Sequence, residues 1–361
     1  MQQIGIDLHG VTLNVSCNCE RLLEYLAQLL ADDVRPVWAA PDLEVTGIWQ
    51  SSPDAPTQVF PEASTEDAFG KRMRLAGDEL VWFDTHRDKD LQLRFRRRGQ
   101  RMLFDVAYWY HPTAEKLARY PDYEQRKFFK LLRYLVHFPA AWHLERSRGW
   151  ILVHASAVAV DGAAVLVAGP GGAGKTTTCV GLMARPGVRL LTENLLFTDG
   201  CHVFPLREPI RLTGESLALL GEDGRLALVP LPVAGGSKHK SLFRLPNGAD
   251  HRLVRPAALF IPRFTAQASI EPIAPAIATE LLWAANRLTL ELNDYYWYTA
   301  ALDLLSPAAG HAARTPDALA RLTAATPCYA LGIDRSAGVD AVVERVMAGV
   351  GWSAPVMGGS R

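Results

Sequence analysis

Residues 169 to 176 read Gly-Pro-Gly-Gly-Ala-Gly-Lys-Thr and meet every fixed position of the phosphate-loop pattern G-x-x-x-x-G-K-[ST]. Gly169, Gly171, Gly172 and Gly174, with Ala173 among them, let the backbone wrap so that successive N–H groups point inward at phosphate oxygens. Lys175 adds a point charge for the β- and γ-phosphates, and the Thr176 hydroxyl is placed to bind Mg²⁺. Thr177 opens the helix whose positive dipole end completes the anion site. ATP and Mg²⁺ are therefore the expected ligands. The flanks fit, with an apolar strand before the loop and a helix-compatible 177–184 after it. By chance the pattern arises in roughly one chain in a hundred of this length, which weighs against an incidental lysine in a Gly-rich turn.

Three further residues could share that site. His154 lies fifteen positions before Gly169, and Leu190-Leu191 runs into Thr192-Glu193-Asn194. A carboxylate at a strand end beside a phosphate loop suits Glu193 to accept a hydroxyl's proton, or to position that hydroxyl. Asn194 offers a carbonyl oxygen to Mg²⁺ or caps the turn. Taken alone, a histidine in an apolar strand is more often structural.

On these residues the segment from 152 to 212 resembles the HPr kinase/phosphorylase family, whose kinase fold is shared with phosphoenolpyruvate carboxykinase. In that family a strand bearing an active-site histidine enters a short hairpin, then the loop, a helix, and a strand ending in two aspartates. His154 keeps the family's spacing to Gly169, and Glu193-Asn194 fall where the aspartates belong if one residue is inserted near Pro186-Gly187. A looser similarity continues through Pro327-Cys328-Tyr329-Ala330-Leu331 and a last helix. The resemblance implies catalytic roles for Glu193, His154 and Lys175, and metal binding through Thr176 and Asn194. It implies γ-phosphoryl transfer from ATP to a hydroxyl, serine of a protein or peptide first. HPr itself is not the expected acceptor, because the aspartate pair is altered and the family's Gly-rich signature has no counterpart. A kinase for a small-molecule alcohol, or a nucleotide-binding scaffold without turnover, are the alternatives.

Two basic runs lie outside this segment. Arg94, Arg96, Arg97, Arg98 and Arg101 form either a polar strand face or a docking patch for an acidic peptide. Lys238-His239-Lys240, with Arg244, is either a solvated loop or one that closes on phosphates. In the chain as a whole, 38 basic residues balance 38 acidic ones, which argues against coating nucleic acid or anionic membrane. No apolar stretch has the length of a membrane helix, and the start lacks the pattern of a secretory signal. Five scattered cysteines suit a reducing cytoplasm. A homo-oligomer is left open.

The elements that must position these groups are expected to make a mixed α/β protein. Its C-terminal phosphate-loop domain, resembling HPr kinase, spans 151–350, and a smaller β-rich α+β module spans 1–120. Alternating Ile4, Ile6, Leu8 and Val11, Leu13, Val15 predict a hairpin, and residues 91–106 a second one around Arg98-Gly99-Gln100. A helix follows the first hairpin, and 51–64 reads as an exposed loop. Residues 121–150 form a helical connector that Pro139 should kink, and 351–361 a mobile tail. Asp161-Gly162 predicts a tight turn between two strands ahead of the loop. A strand around Leu259, one long helix over 280–304, a strand at 328–331 and a helix at 339–347 complete the reading. Tyr295-Tyr296-Trp297-Tyr298 lies in that long helix as packing.

Overall fold

The protein is described here by a computed structural model. It covers all residues except 53–58, 61–66, 70–71, 86–87, 221–227, 236–238, 246–253, 308–310 and 353–361; for 67–69 and 311–313 only the backbone is described. Most of the 51–64 loop, Lys238 and nearly all of the expected tail lie outside the described residues. The architecture is mixed α/β, and the chain divides into two compact units. The first comprises Met1–Ser147, Leu231–Lys238 and Asp294–His311, the second Arg148–Pro230, His239–Asn293 and Ala312–Arg361.

In the first unit nine strands form one sheet, in the order Val34–Arg35, Gln2–Leu8, Val11–Cys17, Leu43–Ser51, Arg101–Tyr110, Leu91–Arg98, Glu79–Trp82, Met73–Ala76 and Asp67–Phe69. Both expected hairpins are present. His9 and Gly10 turn the first with positive φ angles of 54° and 75°, the combination that a two-residue hairpin requires. The arginine run does not form a free patch. Arg94 and Arg96 both hydrogen-bond to the buried Asp105, and Arg97 pairs with Asp78. Alternation along the strand thus places Leu93 and Phe95 inside and turns Arg94 and Arg96 to Asp105 on the neighbouring strand. Arg97, at the strand end, meets Asp78 in the adjacent turn.

Residues 123–148 are helical throughout, and the segment down to Ser147 falls in the first unit. Tyr123–Leu132 and Phe138–Arg148 are α-helical, and between them Arg133–His137 widens into a π turn. Pro139 has no N–H to give to residue 135, and its ring crowds that carbonyl, so the interruption falls one turn ahead of the proline. The 294–311 stretch also departs from a boundary at 150. Tyr298 is fully buried against Phe95, Phe104 and Phe138, and the Tyr295 hydroxyl donates to Glu145 Oε2 at 2.7 Å. A cut near residue 121 therefore removes two of the rings on which Tyr298 packs.

The second unit is built on an eight-stranded sheet. Along it run Val203–Pro205, Leu195–Thr198, Ile151–Val160, Ala163–Ala168, Arg255–Phe264, Cys328–Ile333 and Ser269–Pro272, and Arg189–Thr192 also pairs with Ile151–Val160. Asp161 and Gly162 turn the hairpin with φ of 49° and 81°. Ala163–Ala168, Arg255–Phe264 and Cys328–Ile333 are mutually parallel, so their carboxyl ends lie side by side. Both faces of the sheet are covered. Val158, Val165 and Val167 pack with Cys179, Leu182 and Val343, which belong to helices Lys175–Met183 and Gly338–Gly349. On the other face Ala157, Ala164 and Leu166 meet Leu282 and Leu319 of helices Pro275–Leu288 and His311–Ala325. The single helix expected over 280–304 is instead two, because Thr289 leaves the helical region with φ −83° and ψ 123°.

Gly181 sets the approach of the loop helix to Gly338–Gly349. A Cβ there would lie 2.5 Å from Val339 Cγ1 and 2.8 Å from Val343 Cγ2. Gly181→Val is expected to lower the unfolding free energy by about 2–3 kcal/mol, the cost of overpacking a core. Gly181→Ala should lose less, since helix propensity returns about 1 kcal/mol. Urea midpoints of the three proteins check the order.

Candidate functional site

The phosphate loop joins the carboxyl end of Ala163–Ala168 to the helix Lys175–Met183. Gly172 and Gly174 take φ of 80° and 95°, which turns the chain sharply enough to present Gly174 as the helix N-cap. Lys175 is buried, and its Nζ donates to the carbonyls of Gly169 at 2.9 Å and Pro170 at 3.0 Å. Burial pushes its ammonium pKa down to about 8, with the charge of Glu193 opposing.

Thr176 and Glu193 meet directly, the Thr176 hydroxyl donating to Glu193 Oε1 at 2.7 Å. Glu193 and Asn194 fill the gap between Arg189–Thr192 and Leu195–Thr198, two strands that both pair with Ile151–Val160. Ser156 Oγ ties this gap to the sheet by donating to the Glu193 carbonyl at 2.5 Å. The Glu193 carboxylate is buried, with Arg211 Nε 3.6 Å from Oε2 and Lys240 Nζ 4.0 Å from Oε1. Arg211 also lies 3.5 Å from Glu291. Burial works against the Arg211 charge, yet Glu208, Glu193 and Glu291 outweigh it and hold the guanidinium above its ordinary range. Asn194 is also buried, and its Nδ2 has no hydrogen-bond partner among the described residues. The structure thus joins Thr176 directly to Glu193, with Asn194 next in the same turn.

His154 sits on the central strand, its N–H bonded to Asn286 Oδ1 at 3.0 Å and its Nδ1 bonded to the Thr289 hydroxyl. That hydroxyl already donates to the Ala285 carbonyl at 2.9 Å. The imidazole must therefore donate from Nδ1, which leaves Nε2 with a free lone pair. Burial first, then the charge of Lys175, push the His154 pKa down to about 3. The unfolded chain, with an ordinary histidine near 6.5, binds this proton first. Stability should therefore fall as pH drops from about 6.5 toward 3, by up to about 1.4 kcal/mol per pH unit from this group. His154→Asn, which can keep a donor toward Thr289, should flatten that slope in urea unfolding at pH 7, 6 and 5.

No family model matches the chain, and no curated protein does.

A cleft of about 500 Å³ opens over Gly172 and Gly174 to Thr178 and reaches Lys240. That volume lies within the range of small-molecule sites, and the cleft stands at the carboxyl ends of parallel strands, where open α/β sheets bind ligands. Sequence reasoning missed Arg211, Glu291, Asn286 and Thr289. Arg211 had one visible signal, a lone charge between Ile210 and Leu212 on a short buried strand. Asn286 and Thr289 had none, since their partners are 132 and 135 residues away. Among the described residues no helix is long and apolar enough to cross a membrane.

Proposed function

We propose that this chain is an ATP- and Mg²⁺-dependent phosphotransferase of the HPr kinase/phosphorylase type, acting on a hydroxyl, most simply a serine of a protein or peptide other than HPr. The observation that carries the reading is the Thr176–Glu193 hydrogen bond at the end of a complete phosphate loop. Chance produces the loop pattern now and then, but it does not also bury an acid against the loop threonine. In this reading the loop amides and Lys175 bind the triphosphate, Lys175 exchanging two backbone carbonyls for phosphate oxygens.

Mg²⁺ fits the residues present. Thr176 Oγ1 and Glu193 Oε1 are hard oxygen donors 2.7 Å apart, and the buried Asn194 next in the chain offers a further carbonyl oxygen. That leaves Glu193 Oε2, without a hydrogen bond among the described residues, for the acceptor. Bound there, the ion would neutralise charge on the β- and γ-phosphates. Glu193 Oε2 takes the acceptor hydroxyl's proton while that oxygen attacks the γ-phosphorus and the bond to the β–γ bridging oxygen breaks. Arg211 holds the carboxylate in place. Asn194 and His154 line the same strand pair, and His154 acts with its Nε2 lone pair rather than as a cation.

The peptide acceptor is supported by the family resemblance and not by the arginine run, whose charges are largely paired within their own sheet. Incubation of the full chain with γ-labelled ATP, Mg²⁺ and protein from the source cell tests the reading. Label on serine of a polypeptide is the expected result. Label on a small alcohol would move the acceptor class, and tight nucleotide binding without any transfer would make the chain a scaffold.

A further inference from the structure

The cleft over the phosphate loop has a second wall that phosphates alone do not explain. Three adjacent parallel strands end at Ala168, Phe264 and Ile333, and the cleft runs across those ends from the loop to Phe264 and Arg335. Phe264 is 45% exposed, the one exposed phenylalanine among the described residues whose side chains are described. Its ring is covered by Arg335, whose guanidinium carbon is 3.8 Å from the ring centroid. The arginine is held there by a short 3₁₀ turn, Arg335–Ala337, in which Asp334 Oδ1 accepts from Ser336 N at 2.8 Å and from Ser336 Oγ at 2.6 Å. Ile333 and Val339 add apolar surface between this pair and the loop. A triphosphate seated on Gly172 to Thr176 needs none of these groups. A flat, apolar-faced body attached to it does.

We infer that this wall is a nucleobase subsite, in which a purine of the bound nucleoside triphosphate stacks on the Phe264–Arg335 platform. The inference depends on the proposed phosphate-loop function and deepens it by naming the nucleoside half of the donor. Aromatic rings and guanidinium planes both stack on bases, and a purine presents the larger face to them. The phosphate loop reads only the triphosphate, so any preference for a base has to come from groups of this kind.

Calorimetry on the full chain separates the two parts of the ligand. With Mg²⁺ present, ATP and inorganic tripolyphosphate are titrated into the wild type, Phe264→Ala, Phe264→Trp and Arg335→Ala. ATP should bind the wild type about 5- to 100-fold more tightly than tripolyphosphate, the range that one stacked base supplies. Phe264→Ala should bring that ratio close to one while leaving tripolyphosphate unchanged, Phe264→Trp should keep it, and Arg335→Ala should reduce it. Equal affinities of wild type for the two ligands, or a full ratio in Phe264→Ala, would overturn the subsite while leaving the phosphate loop standing. Failure of either ligand to bind wild type would overturn the loop reading and the subsite with it. Should Phe264→Ala not fold, the wild-type ratio and the tryptophan variant decide.

Discussion

Lys175→Ala should lose nucleotide affinity by about 10²-fold or more while the fold survives. The lysine is buried, and its ammonium donates to Gly169 and Pro170 carbonyls. In the proposed bound state those donors turn to phosphate oxygens, and truncating one partner of a buried charged pair costs about 2–5 kcal/mol of binding. Stability should move far less, because the substitution also relieves the burial that holds this ammonium at a pKa of about 8. The same value gives a pH signature. Above pH 8 the free protein carries a neutral lysine that must take up a proton to meet the triphosphate. Affinity should then fall with rising pH by up to about tenfold per unit, until the pKa of the bound state is reached. Lys175→Met should lack that dependence. Calorimetry with ATP and Mg²⁺ at pH 7, 8 and 9 on the three proteins measures both effects. Unchanged binding by Lys175→Ala would remove the loop from the site.

What sequence could show of this site follows from how far apart its parts lie. The loop is legible because eight consecutive residues carry its backbone chemistry, and the strand and helix on either side are short-range patterns. Hairpins closed by His9-Gly10 and Asp161-Gly162 are legible for the same reason, since the turn requires residues that tolerate positive φ. Pairings between distant segments are not. Nothing in Leu43–Ser51 says that it lies parallel between Val11–Cys17 and Arg101–Tyr110. Tyr295 and Tyr298 read as core, yet periodicity does not say which core, and they pack in the first unit rather than beside the loop. The helix break at Thr289 is a tertiary override: local propensity favours continuation, and the break coincides with a hydroxyl held between His154 and Ala285. Arg211 reads as a strand residue until folding sets it between Glu193 and Glu291.

Glu193→Gln carries the most chemical information. A glutamine keeps the size of the side chain, and its carbonyl oxygen can still accept from the Thr176 hydroxyl, so the hydrogen bond that supports the loop survives. What it removes is the negative charge and the basic oxygen at Oε2, the oxygen near Arg211 that has no hydrogen bond among the described residues. If that oxygen takes the acceptor's proton, single-turnover transfer at saturating ATP and Mg²⁺ should fall by about 10²–10⁴, the usual contribution of a general base. Nucleotide affinity should hold within a few-fold, because the loop amides and Lys175 are untouched. Asn194→Ala separates the neighbouring role. If the Asn194 carbonyl oxygen is a metal ligand, its main effect should be a higher Mg²⁺ requirement, with the transfer rate recovering at saturating metal. Loss of rate in Asn194→Ala that no Mg²⁺ concentration restores would remove its metal role, and wild-type transfer by Glu193→Gln would remove the base role from Glu193. The base would then lie on another strand, since the Asn194 amide has no basic site. The Thr176–Glu193 bond would remain as a structural tie between the loop and the sheet.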